Sequence, residues 1–221
     1  MKRHLDQELK KLKEKLFRMG LLVREAIDEA TAALFQRDAE KARQVIKKDQ
    51  EINLCEIEID EFGHELIALY QPAAVDLRLI TMTLKITNDL ERIGDQAVNL
   101  AEIALVARAW PLKPYENLVK MAELTVKMMR DALDAFMQQD HRKAKDILEG
   151  DDAIDHLNDE VFEQVQNSLE KEPENIRAGV SLMLASHNLE RIADLATNIA
   201  EDVIYLKRGV DIRHHIRQRR E

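Results

Sequence analysis

One 15-residue stretch of the chain occurs twice. The stretch Asn88-Asp-Leu-Glu-Arg-Ile-Gly-Asp-Gln-Ala-Val-Asn-Leu-Ala-Glu102 lies over His187-Asn-Leu-Glu-Arg-Ile-Ala-Asp-Leu-Ala-Thr-Asn-Ile-Ala-Glu201 at an offset of 99, with nine positions identical. Earlier in each copy Ala33–Asp38 matches Ala135–Asp140, and Asp49 falls on Asp151, at an offset of 102. The change from 102 to 99 puts a three-residue difference in the connections around Gln71-Pro72 and Glu172-Pro173. Short-repeat solenoids have periods of about 20–45 residues, so a period near a hundred describes two homologous halves. Whatever one half folds into, the other must fold into as well.

Punctuation divides each half into three. Asp38 and Asp140 suit the N-cap position of second helices, and Pro72 and Pro173 separate second from third helices. Trp110-Pro111-Leu112-Lys113-Pro114 separates the halves. The 221 residues contain only six Gly and four Pro, and aromatics are 4%. Strand-rich folds need more turn-formers and more aromatic or β-branched residues than this. The expected fold is all-α: two tandem homologous three-helix bundles. Their six helices run about 25–35 residues each, on the order of 40–50 Å at 1.5 Å per residue. The first bundle takes residues 1–110, the second 115–208, and a basic tail 209–221.

In the third helix of each half the core face follows from spacings of four and three. It comprises Leu79, Thr83, Ile86, Leu90, Ile93, Ala97, Leu100 and Ala104 in the first copy. In the second it comprises Ala178, Leu182, Ala185, Leu189, Ile192, Ala196, Ile199 and Val203. On another strip of the same helices, roughly opposite that seam, lie Glu91, Asp95, Asn99 and Glu102, and again Glu190, Asp194, Asn198 and Glu201. Solvated helix faces usually alternate acid with base, because like charges four residues apart cost a few tenths of a kcal/mol. Here acid follows acid and an amide follows both. A hard cation relieves such repulsion, and carboxylate and amide oxygens suit Mg²⁺, Ca²⁺, Mn²⁺ or iron. The candidate metal ligands are therefore Glu91, Asp95, Asn99, Glu190, Asp194 and Asn198, with Glu29 and Asp131 of the first helices as further candidates. A plain solvated face is the alternative. Arg92 and Arg191, next in sequence to the two glutamates, read as structural salt-bridge partners. Glu61-Phe-Gly-His64 spells half of a di-iron pattern, but the second copy lacks its counterpart.

Several function classes drop out. The single Cys55 leaves no intramolecular disulfide and no cysteine-based zinc cluster, as in a reducing compartment. No apolar run approaches the roughly 20 residues of a membrane span, and the first residues lack a signal-peptide core. A cytoplasmic protein is expected. The net charge of −9 argues against nucleic acid as principal partner. That charge is uneven: from Lys207 to Glu221 six Lys/Arg oppose two acids, giving +4 on the tail and −13 on the rest. Such a tail suits either a solvated end or docking to an anionic partner or membrane surface. Gly-rich phosphate loops, nucleophile elbows and His-Glu-x-x-His are absent from the sequence, so no enzyme is expected.

Gln71-Pro-Ala-Ala-Val-Asp-Leu-Arg78 and the run from Leu84 to Glu102 resemble the first signature of the PhoU family of phosphate-transport accessory proteins. Asn188–Asp194 and Asn198–Leu206 resemble the second signature, and Gly209-Val-Asp-Ile-Arg-His214 is similar to the family's ending. Gln96 and Leu195 stand where the family commonly has His, and Ala193 where Gly is usual, so roles of those residues do not carry over. The resemblance implies two three-helix bundles, often dimeric, with Glu/Asp-x-x-x-Asp motifs, here Glu91/Asp95 and Glu190/Asp194. In the family such motifs hold multinuclear iron or zinc clusters. It also implies negative regulation of high-affinity phosphate uptake, by linking a phosphate ABC transporter ATPase to a membrane sensor histidine kinase. Membrane contact would then be peripheral, through these partners. The alternative function is a metal-free, co-chaperone-like interaction module.

Overall fold

The computed structural model describes residues 2–107 and 115–209. The linker Trp110–Pro114 and the basic tail beyond Gly209 lie outside the described residues. The chain forms α1 (Lys2–Gln36), α2 (Ala39–Tyr70), α3 (Ala74–Ala107), α4 (Glu116–Gln138), α5 (His141–Gly150), α6 (Asp152–Lys171), a 3-10 turn (Pro173–Asn175) and α7 (Ile176–Arg208). Strands are absent among the described residues. Two tandem three-helix bundles result, as the duplication requires.

The expected caps are in place. The Asp38 carboxylate accepts hydrogen bonds from the backbone N–H groups of Glu40 and Lys41, and Asp140 accepts from those of Arg142 and Lys143. Gln71 closes α2 in the left-handed conformation, with Pro72 beyond it. The second helix of the second half is divided at Asp151 into α5 and α6, of 10 and 20 residues. Asp151 itself keeps helical dihedrals (φ −63°, ψ −44°), so the two pieces continue as one rod. Gly150, the poorest helix former short of proline, precedes the break.

All eight core-face positions in α3 and all eight in α7 are buried. Each fully buried Leu or Ile contributes about 1.5–3 kcal/mol by leaving water. All but Thr83 and Ala178 join residues from every α-helix in one continuous hydrophobic core. The helices of the first bundle are antiparallel neighbours, as Lys15–Glu58 (2.9 Å) and Lys48–Glu25 (2.8 Å) record for α1 and α2. The halves meet through α3 against α7 and α1 against α4, leaving α2 and the α5–α6 rod on opposite outer sides. α3 and α7 run antiparallel, with Arg78 over the Tyr205 ring at 5.8 Å and Lys85 bonded to Asp202.

That seam is not symmetric in chemistry. At one end Lys85 bonds Asp202 at 2.5 Å beside Asp89, and both carboxylates are buried. By the offset of 99 the matching positions at the other end are Leu184, Ile103 and Asn188. One end of the inter-bundle contact is thus an ion cluster, and the matching residues at the other end are uncharged, with Leu184 half exposed.

Candidate functional site

The carboxylate strips are partly buried and partly exposed. Glu91 and Glu190 are half-buried, while Asp95, Asp194 and Asn99 are exposed and Asn198 is half-buried. Each strip borders the groove between the third helix and the second helix of its own half. α2 packs closely on α3 at Gly94, where a Cβ would lie 3.3 Å from Ile52 and 3.5 Å from Asp49 Oδ1; the matching residue of the second half is Ala193. Asp49 is thereby brought to Glu91 and Asp95, and Glu56 joins them further along α2. In the second half Asp151 and Asp155 of the α5–α6 rod meet Glu190 and Asp194.

Burial and crowding act together on these acids. Burial, then Asp95, Glu56 and Asp49, raise the Glu91 carboxyl above its ordinary range. Burial followed by Asp194 raises Glu190, and burial followed by Asp155 raises Asp194. Asp151 is pushed up to about 6 by burial and by Asp155, Asp194, Asp152 and Glu190. Its Oδ1, like Oδ1 of Asp49, is buried without a hydrogen-bond partner. Orphaned carboxylate oxygens in a groove crowded with acids suit a cation, because a cation supplies the missing partner and offsets the repulsion. The donor set therefore fits a metal. Among the described residues, however, no three His, Cys, Asp or Glu side chains already converge on one point. A bound ion would draw Asp95, Asp194 and their neighbours together by side-chain rotation, and their exposure leaves them room to do so.

The other sequence candidates fall elsewhere. Glu29 accepts two bonds from Lys48 (3.1 and 3.2 Å), and Asp131 pairs with Lys127 (2.9 Å) and Lys143 (3.3 Å). Burial pushes Asp131 upward, yet those lysines hold it below its usual range. The first helices thus supply neutralised acids, and the second helices supply Asp49, Glu56, Asp151 and Asp155. The alignment of Asp49 with Asp151 is the sequence signal for them. Asn99 donates to Gln96 at 3.4 Å, one turn from Asp95. Arg92 lies 3.8 Å from Asp89, the structural role expected of it. His64 and Glu61 are both exposed.

The raised Asp151 predicts a pH effect in the metal-free protein. Its folded pKa lies above the unfolded value of 3.8, so ionising it costs stability at neutral pH. That cost disappears as pH falls through about 6 toward 4, where the folded carboxyl holds its proton. For a half-buried, solvent-screened group this cost amounts to about 1 kcal/mol. Asp151→Asn should therefore melt roughly 2–4 °C above the parent at pH 8 and level with it near pH 4. Thermal unfolding of both proteins without metal across that range checks this.

Known proteins match nearly the whole length of this chain. A family profile described as "PhoU domain" matches residues 16–104 and again 118–203. Over 219 residues the chain is 43% identical to the "Phosphate-specific transport system accessory protein PhoU homolog" of Aquifex aeolicus (strain VF5), across 98% of this chain and 99% of that protein. It is 33% identical over 210 residues to the Edwardsiella tarda "Phosphate-specific transport system accessory protein PhoU", across 95% and 86%. The crystal structure of PhoU from Pseudomonas aeruginosa superposes with a TM-score of 0.90 at 35% identity, over 93% of this chain and 99% of that one. No helix among the described residues is long and apolar enough to cross a membrane. With both halves matched and nearly its whole length aligned, the chain belongs to the PhoU family.

Proposed function

We propose that this chain is a cytoplasmic accessory protein of phosphate transport, a non-catalytic adaptor that restrains high-affinity uptake. It does so by linking the ATPase of a phosphate ABC transporter to a membrane sensor histidine kinase, as a homodimer, with metal ions at its two carboxylate clusters. The full-length likeness to proteins named as phosphate-transport accessory proteins carries this reading. The metal part rests on Asp49 and Asp151, which carry buried unpartnered oxygens and interact electrostatically with Glu91/Asp95 and Glu190/Asp194. The candidate ions are iron or zinc, singly or as multinuclear clusters, and Mg²⁺, Ca²⁺ or Mn²⁺. The side chains of the two grooves hold the ions and present a charged docking face.

A metal-free interaction module is the second reading. It is favoured by the absence, among the described residues, of three ligands gathered on one point. Both readings face the same genetic test. Deleting the gene in its host should raise phosphate uptake and phosphate-starvation gene expression in phosphate-replete medium. The wild-type gene should restore both to normal. Unchanged uptake and expression on deletion would refute the regulatory role. Full rescue by the Glu91→Ala/Asp95→Ala/Glu190→Ala/Asp194→Ala variant would leave the adaptor standing and remove the metal from its mechanism.

A further inference from the structure

The two halves differ where the first helix meets the second, away from the carboxylate grooves. In the first half Lys48 of α2 reaches across to α1. Its ammonium donates to Glu25 Oε1 at 2.8 Å and to the two oxygens of Glu29 at 3.1 and 3.2 Å. By the offset of 102 the corresponding residue of the second half is Gly150. A Cβ at Gly150 would meet no atom within 4 Å. Beside it, between α4 and the α5–α6 rod, lies a cavity of about 240 Å³. The place that a lysine side chain takes in one half is therefore open in the other.

The walls of the cavity say what it suits. Its floor is apolar, formed by Met128, Ile147 and Ile154, all buried. Its rim carries Lys127, Asp131, Lys143 and Asp146. Lys127 lies 2.9 Å from Asp131, and Lys143 is shared between Asp131 at 3.3 Å and Asp134 at 3.0 Å. Asp146 has no cation among the described residues, so three acids stand against two bases. An excess negative charge over an apolar floor matches a single cationic head on an aliphatic stem, the chemistry of the lysine side chain. A bare metal ion would leave the apolar floor without a partner.

We propose that this cavity binds an aliphatic primary ammonium group supplied by another molecule, where the first half supplies its own through Lys48. Such a group has two sources, a free alkylamine or diamine and the lysine side chain of a partner protein. The site does not depend on metal in the carboxylate grooves.

The test is methyl NMR of the full-length protein titrated with n-butylamine, which is an ammonium at about pH 7.5 and copies the lysine stem and head. The methyl signals of Met128, Ile147 and Ile154 should shift and saturate, with a dissociation constant on the order of 1 mM for so small a ligand. n-Butanol, with the same stem and no charge, should bind at least about tenfold more weakly. Gly150→Lys should supply the group within the chain and remove the butylamine response. Gly150→Ala, which improves helix propensity without reaching the rim, should keep it. Both variants should melt roughly 2–4 °C above the parent, showing an intact fold. Putrescine and Nα-acetyl-lysine-N-methylamide, titrated in parallel, should both bind, and the tighter of them identifies the source. The absence of a saturable shift in wild type, an equal response to butanol, or binding that survives Gly150→Lys would overturn the proposal.

Discussion

Changing Lys85 to leucine should lower the melting temperature by roughly 6–12 °C, for a loss of about 3 kcal/mol. Lys85 Nζ lies 2.5 Å from Asp202 Oδ1, and Asp202 is 3% exposed. Asp89, 5% exposed, stands beside them, its carboxyl pushed up to about 6 by burial and then by Asp202. Removing the lysine leaves two buried carboxylates facing each other across the contact between the bundles. Breaking a fully buried pair costs about 3–5 kcal/mol; the Lys85 side chain is one-third exposed, which favours the lower figure. The matching end of the seam carries uncharged residues at the same three positions. Lys85→Leu/Asp89→Asn/Asp202→Ile copies Leu184, Asn188 and Ile103, and should recover most of the loss. Thermal unfolding of the single and triple variants at about pH 7.5, above the titration range of Asp89, provides the comparison. An unchanged melting temperature in the single variant would mean that the seam does not depend on its ion cluster.

Metal binding should raise the melting temperature by an amount similar to that loss. An ion present at a hundred times its dissociation constant stabilises the folded state by about 2.7 kcal/mol, or roughly 5–11 °C for a chain of this size. The Glu91→Ala/Asp95→Ala/Glu190→Ala/Asp194→Ala variant should show no such rise. Without metal it should be at least as stable as wild type, because it removes half of the carboxylates crowded into each groove. The pH dependence has a definite sign. Glu91, Glu190, Asp194 and Asp151 all have raised pKa values, with burial as the leading cause. They take up protons early as pH falls below neutrality, and a protonated carboxyl does not ligate. The metal-induced rise should therefore shrink between pH 7 and pH 5, with Asp151 titrating near 6.

The helical architecture is legible in the sequence because a stripe repeated every three or four residues admits one reading, and the second copy repeats it. The sixteen core-face positions of α3 and α7 are all buried. Periodicity also places Glu91 and Asp95 on one strip, since both belong to a single helix. It cannot say which neighbour that strip faces. A third helix has a first and a second helix on either side, and the winding of the bundle decides between them. Hence Glu29 and Asp131 look as eligible in sequence as Asp49 and Asp151, although lysines neutralise the first pair and the second pair lines the groove. The Lys85–Asp202 bond lies further out of reach, spanning 117 residues and two bundles. The division of the second rod is similarly hidden, because Asp151 keeps helical dihedrals and only the hydrogen-bonding pattern changes.

The most direct measurement is elemental analysis of protein purified without chelators, beside the Glu91→Ala/Asp95→Ala/Glu190→Ala/Asp194→Ala variant. Metal-holding grooves predict stoichiometric iron, zinc or another divalent metal in the wild type and its loss in a folded variant. Wild-type protein that is folded, monodisperse and free of metal, and that takes up none when metal is restored, would contradict that role. The two carboxylate grooves would then be docking surfaces for a basic partner.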